Sequence, residues 1–133
     1  MTAPRLDRGL AMAAARALDP VVRKDDRSVL RAIPVMIHTS GLAAACAYLL
    51  SRAKGDRNDR FYRATKAILT EAALAVGAID HAAVDTVDAA RLLDIVVNHE
   101  SYALAERRAR AFAVWLARIA EARAEPPRKE EDQ

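Results

Sequence analysis

The residue spacing with the clearest chemical content is a series of cations in the middle of the chain. Its members are Arg52, Lys54, Arg57, Arg60, Arg63 and Lys66. From Lys54 to Lys66 a cation recurs at every third position, so the charges form a sloping stripe along a loop and the helix that follows. An arginine guanidinium can contact a phosphate through two hydrogen bonds at once. The series predicts salt-sensitive contact with a polyanion, and the alternative is an ordinary solvated helix face.

Two aromatic residues, Phe61 and Tyr62, are interleaved with these cations, and the alternative interpretation keeps Phe61 in the core. A second set of cations, Arg107, Arg110 and Arg118, lies on the last predicted helix, opposite its apolar residues. Arg108 falls on the apolar side of that helix. We expect its side chain to extend toward water, to stack on the indole of Trp115 or to pair with an acid.

Catalytic chemistry has weaker support. His38, His81 and His99 lie on different predicted elements and form no Glu-x-x-His or His-x-x-x-His pair, so no metal site is expected. We expect His38 to be a partly buried packing or capping residue. Residues 80–100 hold five acidic groups and one basic group, a pattern that also fits helix capping. Cys46 lies in an apolar helix without a basic neighbour, which predicts a core thiol. The sequence contains no phosphate-binding loop and no nucleophile-elbow motif. We therefore expect that the protein is not an enzyme and binds no cofactor.

The composition predicts the elements that must position these cations. The chain has 133 residues, of which 53% are apolar, with only 4 glycines and 5 prolines. Alanine is the main apolar residue, which favours helices over strands. The sequence therefore predicts an all-α fold: a single compact bundle of five or six helices over residues 1–124, followed by a disordered polar tail over 125–133. The N-terminus lacks the apolar core of a signal peptide, so a cytoplasmic protein is expected.

The helices can be placed from apolar spacing and breaking residues. The predicted helices are Arg5–Leu18, a segment around Val29–Ile37, Leu42–Leu50, Asp59–Val76, Thr86–Val97 and Glu100–Ala124. The residues from Arg23 to Arg27 are expected to be a charged linker. Pro34 predicts either a helix begun only a turn earlier or a bend. Thr39, Ser40 and Gly41 predict a tight corner, with a serine or threonine cap at the next helix start.

Further predictions concern helix caps and buried faces. Asp56 or Asn58 is the expected cap of the fourth helix, and Asp85 that of the fifth, with Asp88 in its first turn. The fourth helix is expected to bury Phe61, Thr65, Ile68, Leu69, Ala72 and Val76. The last helix is expected to bury Leu104, Phe112, Trp115, Leu116 and Ile119.

Several short motifs resemble a known family. They are Ile33-Pro34, Gly41-Leu42 before an alanine-rich helix, Tyr102, and Trp115-Leu116-Ala117-Arg118-Ile119-Ala120 near the end. In this order, over roughly Leu6 to Ala124, the chain resembles the small helical subunit of the Cmr complex, the type III-B CRISPR effector. The resemblance implies a helical bundle that is not a nuclease and that stacks in a few copies along the effector. Basic faces of such subunits line the channel for guide and target RNA.

Three functional hypotheses follow. The first is a non-catalytic subunit of a CRISPR ribonucleoprotein. Its expected partners are CRISPR RNA, target RNA, other Cmr subunits and copies of itself, and no association with a membrane is expected. In it, both sets of cations contact RNA phosphates. The second is a helical protein–protein interaction module without direct RNA contact. The third is a small hydrolase that uses aspartate and histidine residues.

Overall fold

The computed structural model describes residues 3–126, with side chains described from residue 8. Six α-helices follow one another: α1 (Ala3–Ala17), α2 (Lys24–Ser40), α3 (Leu42–Ala53), α4 (Arg60–Ala75), α5 (Ala89–Val97) and α6 (Tyr102–Ala122). A 3₁₀ helix, His81–Thr86, precedes α5. The all-α prediction is confirmed, with slightly more helices than expected. Most of the predicted polar tail, residues 127–133, lies outside the described residues, so the division at residue 124 stays a prediction.

Helix α6 packs against α1, α2 and α4 through a face made mainly of small side chains. Its buried residues are Ala105, Ala109, Phe112, Ala113, Leu116 and Ala120. The predicted burial of Phe112 and Leu116 is confirmed, and Trp115 and Ile119 are half-buried. The predicted burial of Leu104 is wrong, because its side chain is 47% exposed. The alanines determine which face is buried, since they let neighbouring helices approach closely, and Leu104 lies on the opposite side.

Helix α2 begins earlier than expected. The predicted charged linker from Arg23 to Arg27 is wrong, because α2 starts at Lys24 and includes Asp25 and Asp26 in its first turn. Carboxylates are favourable there, where the unpaired backbone N–H groups of the helix start carry partial positive charge. Pro34 lies inside this helix, well past its first turn. Of the two alternatives for Pro34, a helix begun only a turn earlier is therefore wrong, and a bend stays a prediction.

The predicted tight corner between α2 and α3 is confirmed at Gly41, which has a φ of 88°. The predicted serine or threonine cap is wrong, because Ser40 ends α2 and Gly41 precedes α3. Helix α6 caps α3 instead: the Leu42 N–H donates to Glu106 Oε2 at 2.8 Å, and the Ala43 N–H donates to the Tyr102 hydroxyl at 2.9 Å. A Cβ at residue 41 would lie 3.3 Å from that Glu106 oxygen, so glycine suits both the backbone and the close approach.

The caps of α4 and α5 differ from the predicted ones by three residues or fewer. Asp59 caps α4 by accepting from the Phe61 N–H, so the prediction of Asp56 or Asn58 is wrong. Asp88 caps α5 by accepting from the Arg91 N–H at 2.9 Å, whereas Asp85 lies in the 3₁₀ helix. Each true cap stands directly before its helix, as side-chain acceptors for orphan N–H groups should.

The predicted core face of α4 is confirmed at four of its members and partly at the other two. Thr65, Ile68, Leu69 and Ala72 are buried, and Phe61 and Val76 are half-buried against the core. The predicted core position of Cys46 is also confirmed: its side chain is 1% exposed, and burial raises the pKa of the thiol to about 12. Within the described residues, no helix is long and apolar enough to cross a membrane.

One junction ties the end of the bundle to its beginning. The Arg123 Nη1 lies 2.8, 3.0 and 3.3 Å from the carbonyl oxygens of Ala15, Leu18 and Asp19. The last carbonyls of a helix lack intrahelical partners, so this guanidinium satisfies acceptors at the end of α1. The Val22 N–H donates to the Arg123 carbonyl at 2.8 Å. These contacts fix the segment between α1 and α2 against the end of α6, and we call them the Arg123 junction.

Candidate nucleic-acid interface

Three arginines at the centre of the first cation series form ion pairs with carboxylates from three different segments. Arg57 lies 3.4 Å from Asp88 at the start of α5, and Arg63 lies 3.2 Å from Asp19 between α1 and α2. The Arg60 Nε donates to Asp26 on α2 at 2.8 Å, and this hydrogen bond raises the pKa of Arg60. All three guanidinium groups remain exposed to solvent. Exposed ion pairs contribute only about 0.2 to 1 kcal/mol each and weaken with salt.

An open groove brings three members of the series together with a cation from another helix. Arg57, Arg63 and Lys66 line this groove, and Arg16 at the end of α1 lies opposite them. Its remaining polar lining consists of Tyr62, Thr70 and Glu71, with His81 and Asp85 of the 3₁₀ helix. We call it the α1–α4 groove. Arg16 was not among the predicted residues, because it lies outside the regular cation spacing and its position follows only from the packing of α1.

Arg60 faces a different depression. This cleft lies between α4 and the segment that joins α1 to α2, and its polar lining includes Asp19, Arg23, Asp26 and Arg60. Arg63 lines both this cleft and the α1–α4 groove. The stripe predicted from the spacing therefore divides at Arg63, where the surface turns from the groove into the cleft.

The first two members of the series lie near the end of α3. The Arg52 guanidinium carbon is 5.0 Å from the centroid of the Phe61 ring and 6.0 Å from that of Tyr48. Lys54 directly follows α3 in a left-handed conformation, with a φ of 52°. Neither Lys54 nor Lys66 makes an ion pair with any residue that the structure describes. Lys54 is exposed and Lys66 is half-buried.

The second predicted set on α6 does not form a similar groove. Arg107 lines a mainly apolar depression with Leu10 and Leu104, and Arg118 lies over the Trp115 ring at 5.8 Å. Arg110 contacts His38 on α2, with 2.8 Å between its Nη1 and the histidine Nδ1. Each of the three cations is exposed but has different neighbours.

Phe61 and Tyr62, the aromatic residues within the series, both have structural contacts. Phe61 packs against the core. The Tyr62 hydroxyl accepts from the Ala89 N–H at 3.1 Å and so helps to cap α5. For Arg108, the expected pairing with an acid is confirmed: its Nε donates to Glu71 on α4 at 2.8 Å, in a partly buried position.

The candidate catalytic residues are dispersed. His38 is exposed, so its predicted partly buried position is wrong. His99 accepts from the Ser101 N–H through Nδ1, and His81 begins the 3₁₀ helix. Among the described residues, no group of three or more histidine, cysteine, aspartate and glutamate side chains could hold a metal ion. Burial raises the pKa of the Cys46 thiol, which therefore stays protonated at neutral pH.

Comparison with known proteins agrees with the resemblance seen in the sequence. The family model described as CRISPR-associated protein (Cas_Cmr5) matches residues 8–123, which is most of the chain. No curated protein and no solved structure matches. The matched range includes every helix from α2 to α6 and most of α1. The chain therefore belongs to the Cas_Cmr5 family of CRISPR-associated proteins, which are small accessory subunits of the Cmr complex.

Proposed function

We propose that this chain is a non-catalytic subunit of a cytoplasmic type III-B CRISPR ribonucleoprotein and that it contacts the backbone of guide or target RNA. Its protein partners are other Cmr subunits and copies of itself along the effector. Phosphates bind in the α1–α4 groove, with Arg57, Arg63 and Lys66 as the principal contacts and Arg16 as a fourth. Arg52, Lys54 and Arg60 extend the basic surface on either side, and Arg107, Arg110 and Arg118 form a second, weaker set.

The observation that carries this proposal is the convergence of four cations from two helices and a loop on one groove. A single helix face with regular charges is common on soluble proteins, but cations from separate segments around one groove suit a ligand with several phosphates. The carboxylate partners of Arg57 and Arg63 stay exposed, so RNA phosphates can replace them at little energetic cost. Arginine can donate two parallel hydrogen bonds to a carboxylate or to a phosphate in similar geometry, so one anion can replace the other.

The surface chemistry predicts the kind of RNA contact. The groove contains guanidinium and ammonium groups and no motif known to read base edges, so binding should depend on phosphates and not on sequence. Such contact releases counterions and weakens steeply as the salt concentration rises.

The test uses the assembled complex with the triple variant R57A/R63A/K66A. We expect guide and target RNA to be retained about tenfold less well than in the wild-type complex near physiological salt. The slope of log affinity against log salt should become shallower by about two, because counterions are no longer released at the phosphate contacts that the variant lacks. Both quantities can be measured by filter binding over a salt series.

The matched control is R8A/R31A/R91A, which removes the same total charge from three exposed positions outside the groove. This control also breaks one exposed ion pair, that of Arg31 with Glu121. Thermal melts of the isolated chains verify that both variants fold. Equal retention by the two triple variants, or unchanged retention in R57A/R63A/K66A, would refute groove-specific RNA contact. Intact assembly with other subunits in that case would favour the protein–protein module.

A further inference from the structure

We propose that Tyr48 is a stacking platform for an unpaired base of single-stranded RNA, beside the phosphate contacts of the basic surface. This inference rests on the proposed RNA contact and names a residue outside both cation sets. It begins from the exposure of the aromatic side chains. All six lie within the described residues, and Tyr48, with 48% of its surface exposed, is the most exposed of them.

The other tyrosines have structural tasks that Tyr48 lacks. The hydroxyls of Tyr62 and Tyr102 accept hydrogen bonds from backbone N–H groups at the starts of α5 and α3. The Tyr48 hydroxyl accepts only from the Arg52 Nη1, at 3.1 Å, on the exposed surface of α3. The folded chain therefore leaves a large ring at the surface without a capping role.

The ring is positioned by its neighbours. The Arg52 guanidinium carbon lies 5.0 Å from the centroid of the half-buried Phe61 ring and 6.0 Å from that of the exposed Tyr48 ring. Because Arg52 also bonds the hydroxyl, the Tyr48 side chain has little rotational freedom to lose when a ligand stacks on it.

Local charge favours a base attached to phosphate over an apolar peptide. Arg52, Lys54 and Arg57 follow Tyr48 in sequence, and Asp56 is the one acidic residue between them. The Lys54 ammonium makes no ion pair with the described residues and lies directly after the end of α3. An exposed ring with an arginine over it and a lysine at the end of the same helix is an arrangement with which proteins bind single-stranded nucleic acid, since every base has a face that can stack.

The test compares Y48F, Y48L and wild type for binding to a single-stranded RNA that contains 2-aminopurine and to the matching duplex. In the full-length chain, we expect Y48F to bind and quench like wild type. Y48L should bind the single strand about tenfold more weakly, lose the quenching and bind the duplex normally. The salt slope should not change, because the substitution removes a ring and no charge.

The inference would be overturned if Y48L bound the single strand with wild-type affinity, or if its affinity for the duplex fell by the same factor. A loss of Cmr assembly in Y48L with unchanged RNA binding would also overturn it and would assign the ring to a protein contact. The groove variant keeps the two proposals separable. If R57A/R63A/K66A loses RNA while Y48L does not, only the stacking inference fails, and if neither loses RNA, the proposed function fails.

Discussion

The Arg123 junction and the α1–α4 groove use the same side chain in opposite ways. At the junction, one half-buried guanidinium contacts three backbone carbonyls, and its hydrogen bonds are internal to the fold. At the groove, Arg57 and Arg63 each contact one exposed carboxylate, and both remain accessible. Carbonyls left without a donor are costly, whereas an exposed carboxylate is readily hydrated. The role of an arginine here follows from its acceptors, not from its place in a charge pattern.

The comparison predicts that removal of a junction arginine has the largest effect on stability. R123A should lower the free energy of unfolding by about 2 kcal/mol, because the acceptors at the end of α1 lose a charged donor. In a domain of this size, that loss corresponds to a fall of roughly 8 °C in the melting temperature. Calorimetry measures it. R123K retains the charge but not the planar guanidinium group, so its melting temperature should lie between those of R123A and wild type. An unchanged melting temperature in R123A would show that water replaces the guanidinium.

A smaller effect is expected for the partly buried pair between Arg108 and Glu71. R108A should cost about 1 to 2 kcal/mol, since it leaves the mostly buried Glu71 carboxylate without its partner. The double variant R108A/E71A should recover part of that loss, because it removes the unpaired charge. Urea denaturation of the two single variants and the double variant gives the coupling energy. Additive losses would mean that the two side chains do not interact in solution.

The smallest expected effect concerns the carboxylates that pair with the groove arginines. D19N/D88N should raise RNA affinity about threefold, because Arg57 and Arg63 no longer need to exchange a carboxylate for a phosphate. Asparagine at 88 still serves as a helix cap, so α5 should remain intact. The control D56N/D94N removes the same charge from two exposed carboxylates that neither line the groove nor pair with these arginines. An equal rise in both variants would indicate a general electrostatic effect, measured in the same filter-binding assay.

The sequence predicted the parts of the fold that depend on local periodicity. Helix α4 and the corner at Gly41 were correct because apolar spacing and a glycine define them within a few residues. The start of α2 was missed because a highly charged first turn resembles a linker when only apolar spacing is considered. The burial of α6 was misjudged at Leu104, since alanine faces carry little hydropathy but allow the closest packing.

The candidate site was harder to predict, because its composition depends on contacts between distant segments. Cation spacing identified Arg57, Arg63 and Lys66 but also grouped them with Arg60, which faces the neighbouring cleft. Arg16 reaches the groove through the packing of α1 against the bundle, and Arg123 reaches α1 from the other end of the chain. A pattern within one segment holds no information on such contacts. Arg123, for example, is separated from its partners on α1 by about a hundred residues.

The most direct test of the account is photo-cross-linking of the assembled Cmr complex on guide and target RNA, followed by mapping of the cross-linked peptides. We expect cross-links from this subunit in the segments that contain Arg57, Tyr62, Arg63 and Lys66, and their loss as the salt concentration rises. Cross-links confined to other subunits, or to faces of this chain remote from the α1–α4 groove, would contradict RNA contact through that groove.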